Sequence, residues 1–152
     1  MDKNNKKQGK VIYYDDNGNI AEIINYKDGK KEGKYMSYNK YGKLIREMNY
    51  KDDKLSGEYK EYYDNEQLWV MCNYIDGKKE GEYKLYYKNG QLNETYNYVN
   101  GKKEGIYKLY HENGEIFEIY NYINGKKEGK YKAYDEDGHL IDLNRYTVKC
   151  QI

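Results

Sequence analysis

An Asn-Tyr pair returns every 24 residues along this chain, at Asn25-Tyr26, Asn49-Tyr50, Asn73-Tyr74, Asn97-Tyr98 and Asn121-Tyr122, and Arg145-Tyr146 closes the series. Other columns keep the same spacing. Gly9, Gly33, Gly57, Gly81, Gly105 and Gly129 form one. Tyr14, Tyr38, Tyr62, Tyr86, Tyr110 and Tyr134 form another, and Ile20, Leu44, Leu68, Leu92, Ile116 and Leu140 a third. Six copies fill residues 9–146 with no insertion or deletion. A fixed period of this kind marks a repeat array, in which each unit packs mainly on its neighbours. Residues 1–8 read as a polar tail and 147–152 as a strand end or cap.

Each copy reads as two strands and two turns. Asn17-Gly18, Asn89-Gly90, Asn113-Gly114 and Asp137-Gly138 mark one turn, and Asp28-Gly29, Asp76-Gly77, Asn100-Gly101 and Asn124-Gly125 the other. Such dipeptides suit the type I′ hairpin turn, because Asn, Asp and Gly tolerate positive φ. The runs between them are six to eight residues long, rich in Tyr and alternately polar, which favours strands over helices. The expected fold is therefore all-β: an elongated, single-layer antiparallel β-meander of six 24-residue hairpins. On the second strand of a copy, alternation expects Leu92, Glu94, Tyr96 and Tyr98 on one face and Asn93, Thr95 and Asn97 on the other.

Composition agrees. Of 152 residues 35% are charged, a level compatible with disorder, but 16% are aromatic and 23 are Tyr. Disordered chains are poor in aromatics. The absence of Pro leaves backbone ladders uninterrupted. A net charge of +1 argues against a dedicated nucleic-acid binder. No apolar run approaches the roughly 20 residues of a membrane span. Met1–Lys7 has no apolar stretch behind it, so no signal peptide is expected and the expected location is cytoplasmic. Cys72 and Cys150 make neither a disulfide framework nor a metal spacing and read as free thiols.

The pattern Asn-Tyr-x-Asn-Gly-Lys-Lys-Glu-Gly-x-Tyr-Lys-x-Tyr-x-x-Asn-Gly-x-Leu resembles the MORN repeat, and most of all its bacterial variant. Asn97, Tyr98, Gly101, Gly105, Tyr107, Tyr110, Gly114 and Ile116 carry it nearly whole. The third copy departs most: Asp53 and Glu66 replace turn glycines, and Leu55 and Ser56 replace Lys and Glu. The resemblance implies an elongated twisted sheet and a role in protein–protein contact, scaffolding or, in some relatives, contact with acidic lipids. Similar bacterial proteins are labelled antitoxin-like.

No set of catalytic groups emerges, and the chain reads as a non-enzyme without cofactor or metal. His111 and His139 fall in or beside turns and read as solvated. Glu32, Glu80, Glu104 and Glu128 each follow two residues of a Lys-Lys pair and read as self-neutralising loop charges. In a meander, turns of one kind share a rim. The Lys-Lys-Glu rim is net positive and the opposite rim net negative.

Two binding readings follow. Tyr-rich surfaces make good contact surfaces, so a protein partner is expected on a Tyr-rich face through Tyr86, Tyr96, Tyr110, Tyr120, Tyr134 and Trp69. The alternative is peripheral binding to acidic lipids through Lys30, Lys31, Lys78, Lys79, Lys102, Lys103, Lys126 and Lys127. Lys10–Tyr14 reads as an apolar edge strand, open to dimerisation or strand addition.

Overall fold

A computed structural model of the chain describes residues 6–141. It contains twelve strands: β1 (Gly9–Tyr14), β2 (Ile20–Lys27), β3 (Lys30–Tyr38), β4 (Leu44–Lys51), β5 (Lys54–Tyr62), β6 (Leu68–Ile75), β7 (Lys78–Lys79), β8 (Gly81–Tyr86), β9 (Leu92–Val99), β10 (Lys102–Tyr110), β11 (Ile116–Ile123) and β12 (Lys126–Ala133). They form one antiparallel sheet in chain order. Strands β7 and β8 both pair with β6 and together make one rung, interrupted at Glu80. The expected all-β meander is what the chain builds. The sixth hairpin is described only as far as the Tyr134–Leu140 bridge. Residues 142–152, with the expected strand end or cap at 147–152, lie outside the described residues, as do residues 1–5. No helix among the described residues is long and apolar enough to cross a membrane.

The two turn types differ, and only one is the expected type. At the Lys-Lys-Glu rim both central residues are left-handed, as at Asp28 (φ 51) and Gly29 (φ 86), or Asn124 (φ 52) and Gly125 (φ 82). These are the expected I′ turns. At the opposite rim the Asn or Asp before the Gly keeps negative φ. There, Asp15 N–H donates to the Asn19 carbonyl (2.8 Å) and Gly18 N–H to that of Asp15 (3.0 Å). This is a three-residue loop with a type I turn and a bulge, so only the glycine is left-handed. The I′ reading of Asn17, Asn89, Asn113 and Asp137 is corrected accordingly.

A bulge inside each long strand explains the Asn-Tyr signature. Tyr26 pairs with Lys31 and Ile24 with Tyr35, so three residues, 32–34, stand opposite Asn25 alone. The Asn25 amide fills the gap by donating to the Lys34 carbonyl at 2.6 Å, and Asn49 does the same to Glu58 at 3.3 Å. The bulge requires a left-handed residue, here Gly33 at φ 84.

Alternation then sorts the side chains. One face, the tyrosine face, carries a directly opposed row: Ile24, Tyr35, Met48, Tyr59, Cys72, and on to Tyr83, Tyr96, Tyr107 and Tyr120. The buried residues concentrate there, in one cluster around Ile24, Tyr35 and Met48 and another around Tyr96, Tyr107 and Tyr120. Rings stack from Tyr83 to Tyr96 (4.8 Å), to Tyr107 (5.4 Å) and to Tyr120 (4.4 Å). Each such pair adds roughly 0.5–1.5 kcal/mol beyond area burial. The other face, the lysine face, carries Met36, Lys60, Met71, Lys84, Thr95, Lys108, Ile119 and Lys132 along its middle.

Candidate functional site

The six candidate contact residues fall on both sides of the sheet. Tyr96 and Tyr120 lie on the tyrosine face with 5% and 8% of their surface exposed. They are core, and this removes them from any contact surface. Tyr86, Tyr110 and Tyr134 lie half-buried on the lysine face. Trp69, next to Met71 in alternation, belongs there too, 40% exposed with its ring 5.8 Å from that of Tyr63. Alternation separates the two columns, since Tyr86 stands three residues after Tyr83 on one strand and Tyr83 pairs with Tyr96, while Tyr110 stands three after Tyr107, which pairs with Tyr120; the one-face expectation overlooked this.

On the tyrosine face several phenols are paired with carboxylates. Tyr35 donates to Glu22 at 2.7 Å and Tyr131 to Glu118 at 3.0 Å, while Tyr59 donates to Glu61 and Tyr107 to Glu94. Arg46 reaches Glu61 at 2.7 Å. Burial, and then the neighbouring carboxylates, raise these phenols. Tyr35 is pushed up to about 12 by desolvation and by Glu22, and Tyr83 to about 12 chiefly by desolvation. Desolvation likewise raises the buried Cys72 thiol.

The lysine pairs split. The second Lys of each pair folds over this face. Lys31 Nζ is 5.0 Å from the Tyr50 ring centre, Lys79 4.7 Å from that of Tyr83, Lys103 3.9 Å from that of Tyr96 and Lys127 3.8 Å from that of Tyr120. These four are engaged in cation–π contacts and do not project from the rim as expected. The first Lys of each pair stays exposed, and Lys30 bonds Asp52 at 2.9 Å.

The glutamates of the same motif are staples between copies. Glu32 accepts the Asp52 N–H (2.9 Å), Glu80 that of Asn100 (2.7 Å) and Glu104 that of Asn124 (2.7 Å). The second Lys adds its carbonyl: Gly101 N–H donates to Lys79 (3.0 Å) and Gly125 N–H to Lys103 (2.9 Å). Backbone donors left over at each turn are satisfied by the copy before it.

At the opposite rim the stitches run the same way. The hydroxyls of Tyr63 and Tyr87 donate to the carbonyls of Tyr86 and Tyr110, both at 2.7 Å. His111 takes the equivalent place, with Nε2 3.0 Å from the Tyr134 carbonyl and its ring 4.8 Å from Phe117. It is a half-buried stitch, not the solvated turn histidine expected. Asp135, Asp137 and His139 bring their ligand-type atoms within 4.8 Å of one another. Asp135 uses its Oδ1 to accept the N–H groups of Asp137 and His139. Asp15 caps the first copy's turn identically, so the cluster is explained as turn chemistry.

Two surfaces remain open. The lysine face carries an apolar row, because a register shift beside each Tyr brings Tyr62 opposite Leu68, Tyr86 opposite Leu92 and Tyr110 opposite Ile116. The shift moves Leu92 out of the expected company of Glu94, Tyr96 and Tyr98 and across to Tyr86. On the Lys-Lys-Glu rim, Ile75, Val99 and Ile123 are 59%, 46% and 46% exposed, and they pair directly with Lys78, Lys102 and Lys126. In the first two copies the same position is Lys27 or Lys51. Tyr86, Tyr110, Lys78, Lys102 and Lys126 were among the expected sites, but their apolar partners Leu92, Ile116, Ile75, Val99 and Ile123 were not, although all are regular columns of the repeat.

Comparison with known proteins adds the family. No curated protein matches the sequence. Among solved structures, the crystal structure of TarM is similar to this chain at 17% identity and a TM-score of 0.41, over 68% of this chain and 20% of that one. This chain thus spans about a fifth of that protein, and a likeness so slight carries no argument. The MORN repeat variant family matches residues 7–28, 31–52, 55–76, 79–100, 103–124 and 127–146. With six consecutive matches over most of its length, the chain belongs to the MORN repeat variant family.

Proposed function

We propose that this chain is a non-enzymatic protein-binding module and that its contact surface is the lysine face, centred on Tyr86, Tyr110, Tyr134 and Trp69. MORN repeats are generally modules for interaction with proteins or membranes. The observation that carries this reading is the contrast between the faces. On the tyrosine face, rings, carboxylates and lysines are mutually engaged. On the other, the hydroxyls of Tyr86 and Tyr110 make no hydrogen bond to a protein group among the described residues, and Leu92 and Ile116 lie beside them. Half-buried tyrosines on a stiff sheet offer contact area at low entropic cost. Antitoxin-like and scaffold-like roles are two forms of the same activity.

The test is affinity capture from cells of the source, using wild type beside Tyr86→Ser/Tyr110→Ser, after thermal melts establish that the variant folds. One protein captured stoichiometrically by wild type and lost with the variant supports the reading. Equal capture by both refutes it.

The Ile–Lys stripe favours a second reading. Ile75, Val99 and Ile123 alternate with Lys78, Lys102 and Lys126 along one rim, an arrangement suited to an acidic lipid surface. Salt-sensitive binding to phosphatidylserine vesicles, abolished by Lys102→Glu/Lys126→Glu and weakened by Ile123→Ser, is its expected signature.

A further inference from the structure

The lysine face has a pitch, and the pitch specifies an occupant. Tyr62, Tyr86, Tyr110 and Tyr134 stand on every second rung, so neighbours are about 9.6 Å apart. Leu68, Leu92 and Ile116 fill the rungs between them. The apolar row is therefore continuous, with a contact about every 4.8 Å. Beside it, two residues back on the same strands, runs a second row: Lys60, Lys84, Lys108 and Lys132.

Along that row the charges become less compensated. Lys60 meets Glu58 at 2.7 Å and Glu47 at 3.9 Å, and Lys84 meets Glu82 at 2.8 Å. The column that supplies Glu58 and Glu82 supplies Ile106 and Lys130 in the next copies. Lys108, Lys130 and Lys132 make no ion pair among the described residues.

Resting on the protein-binding reading above, we infer that the occupant of this face is an acidic amphipathic α-helix lying across the strands, its apolar stripe on the Tyr–Leu row and its carboxylates along Lys84, Lys108 and Lys132. A helix repeats its apolar positions every seven residues, about 10.5 Å, with an intermediate contact half-way. The row has the same half-way subdivision and a period about 0.9 Å shorter, a slip of about 3 Å over the three steps from Tyr62 to Tyr134. From Tyr62 to Tyr134 the row crosses six rung steps, about 29 Å, which about 19 helical residues span. An extended strand returns to the same side every ~6.8 Å and falls out of step after one contact. A polyproline helix has a closer period, about 9.3 Å, but it docks between aromatic rings. Here Leu92 and Ile116 occupy the spaces between the tyrosines.

The test uses the full chain and lactam-stapled helical peptides of about 20 residues, with Leu on one stripe and Glu on one flank, labelled for fluorescence anisotropy. Comparison peptides carry Lys on the same flank, or an acidic proline-rich sequence of three-residue period. The acidic helix is expected to bind at least tenfold more tightly than either. Lys84→Glu/Lys108→Glu, with an unchanged melting temperature, is expected to reverse the preference, binding the Lys-flanked helix and losing the acidic one. Tyr110→Ser is expected to weaken both. Equal binding of the acidic and basic helices, stronger binding of the proline-rich peptide, or no binding of any peptide overturns the helix. If cellular capture still depends on Tyr86 and Tyr110 when the peptides fail, the helix falls and the protein-binding reading stands. If capture is also indifferent to them, both fall.

Discussion

The Glu104 carboxylate accepts the backbone N–H of Asn124 at 2.7 Å, twenty residues ahead in the chain and at the next turn of the same rim. This bond gives the Lys-Lys-Glu motif a physical meaning: one residue faces water, one covers tyrosine rings and one fastens the following copy. Glu104→Gln weakens a charge-assisted bond, and an expected loss of about 1–2 kcal/mol follows, measured by urea unfolding.

The third copy lacks this staple because Ser56 stands where four other copies have Glu32, Glu80, Glu104 and Glu128. Its turn keeps only the Gly77 N–H bond to the Leu55 carbonyl at 2.8 Å. Ser56→Glu restores an acceptor for the Asp76 N–H in the geometry already used by Glu32 and Asp52. It is expected to raise stability by up to about 1 kcal/mol, read as a higher denaturant midpoint with unchanged slope.

Glu66 is left-handed at φ 67, where the other copies have Gly. A residue with a Cβ is strained there by about 1–2 kcal/mol, and Gly gives back part of this as unfolded-state entropy. Glu66→Gly is therefore expected to stabilise by about 0.5–1 kcal/mol. Gly105→Ala is the converse. No atom lies within 4 Å of the added Cβ, but φ is 78, so a loss of about 1–2 kcal/mol is expected from the backbone alone.

Alkaline unfolding follows from the raised phenols. Desolvation and hydrogen bonding hold Tyr35, Tyr62, Tyr74 and Tyr83 at about 12 in the folded chain, against 10.0 as the ordinary value. Their contribution is complete below pH 10. Between 10 and 12 the unfolded chain loses phenolic protons that the folded chain keeps, so each such tyrosine lowers stability by about 1.4 kcal/mol per pH unit. A cooperative transition in this window is expected, with phenolate absorbance rising together with loss of the far-ultraviolet strand signal. Gradual, independent ionisation at pH 10 would contradict it.

Trp69 is the sole tryptophan and lies 40% exposed on the lysine face. Emission from the free protein is expected to be that of a partly hydrated indole. A partner seated on this face is expected to shift it to the blue and to protect it from iodide. A partner bound only at the Lys-Lys-Glu rim is expected to leave it unchanged.

The periodicity of the sequence determined the secondary structure, the antiparallel order and the single layer. A 24-residue unit bounded by two tight turns places its strands beside those of the next copy in chain order. The family was legible for the same reason, since the recurring Gly, Asn and Tyr are the residues that turns, bulges and packing require. Faces were only partly legible. Alternation survives the three residues at 32–34, which leave Lys31 and Tyr35 on one face, but the extra residue opposite Tyr86 brings Leu92 across without changing the repeat length. Tertiary structure alone decided that the face of Tyr96 and Tyr120 is core while that of Tyr86 and Tyr110 is surface. It also decided that Lys103 covers rings while Lys102 stays at the rim, and that Glu104 and His111 are stitches between copies. The stitches of Glu104 and His111 depend on atoms 20 and 23 residues away, brought near only by stacking one hairpin on the next.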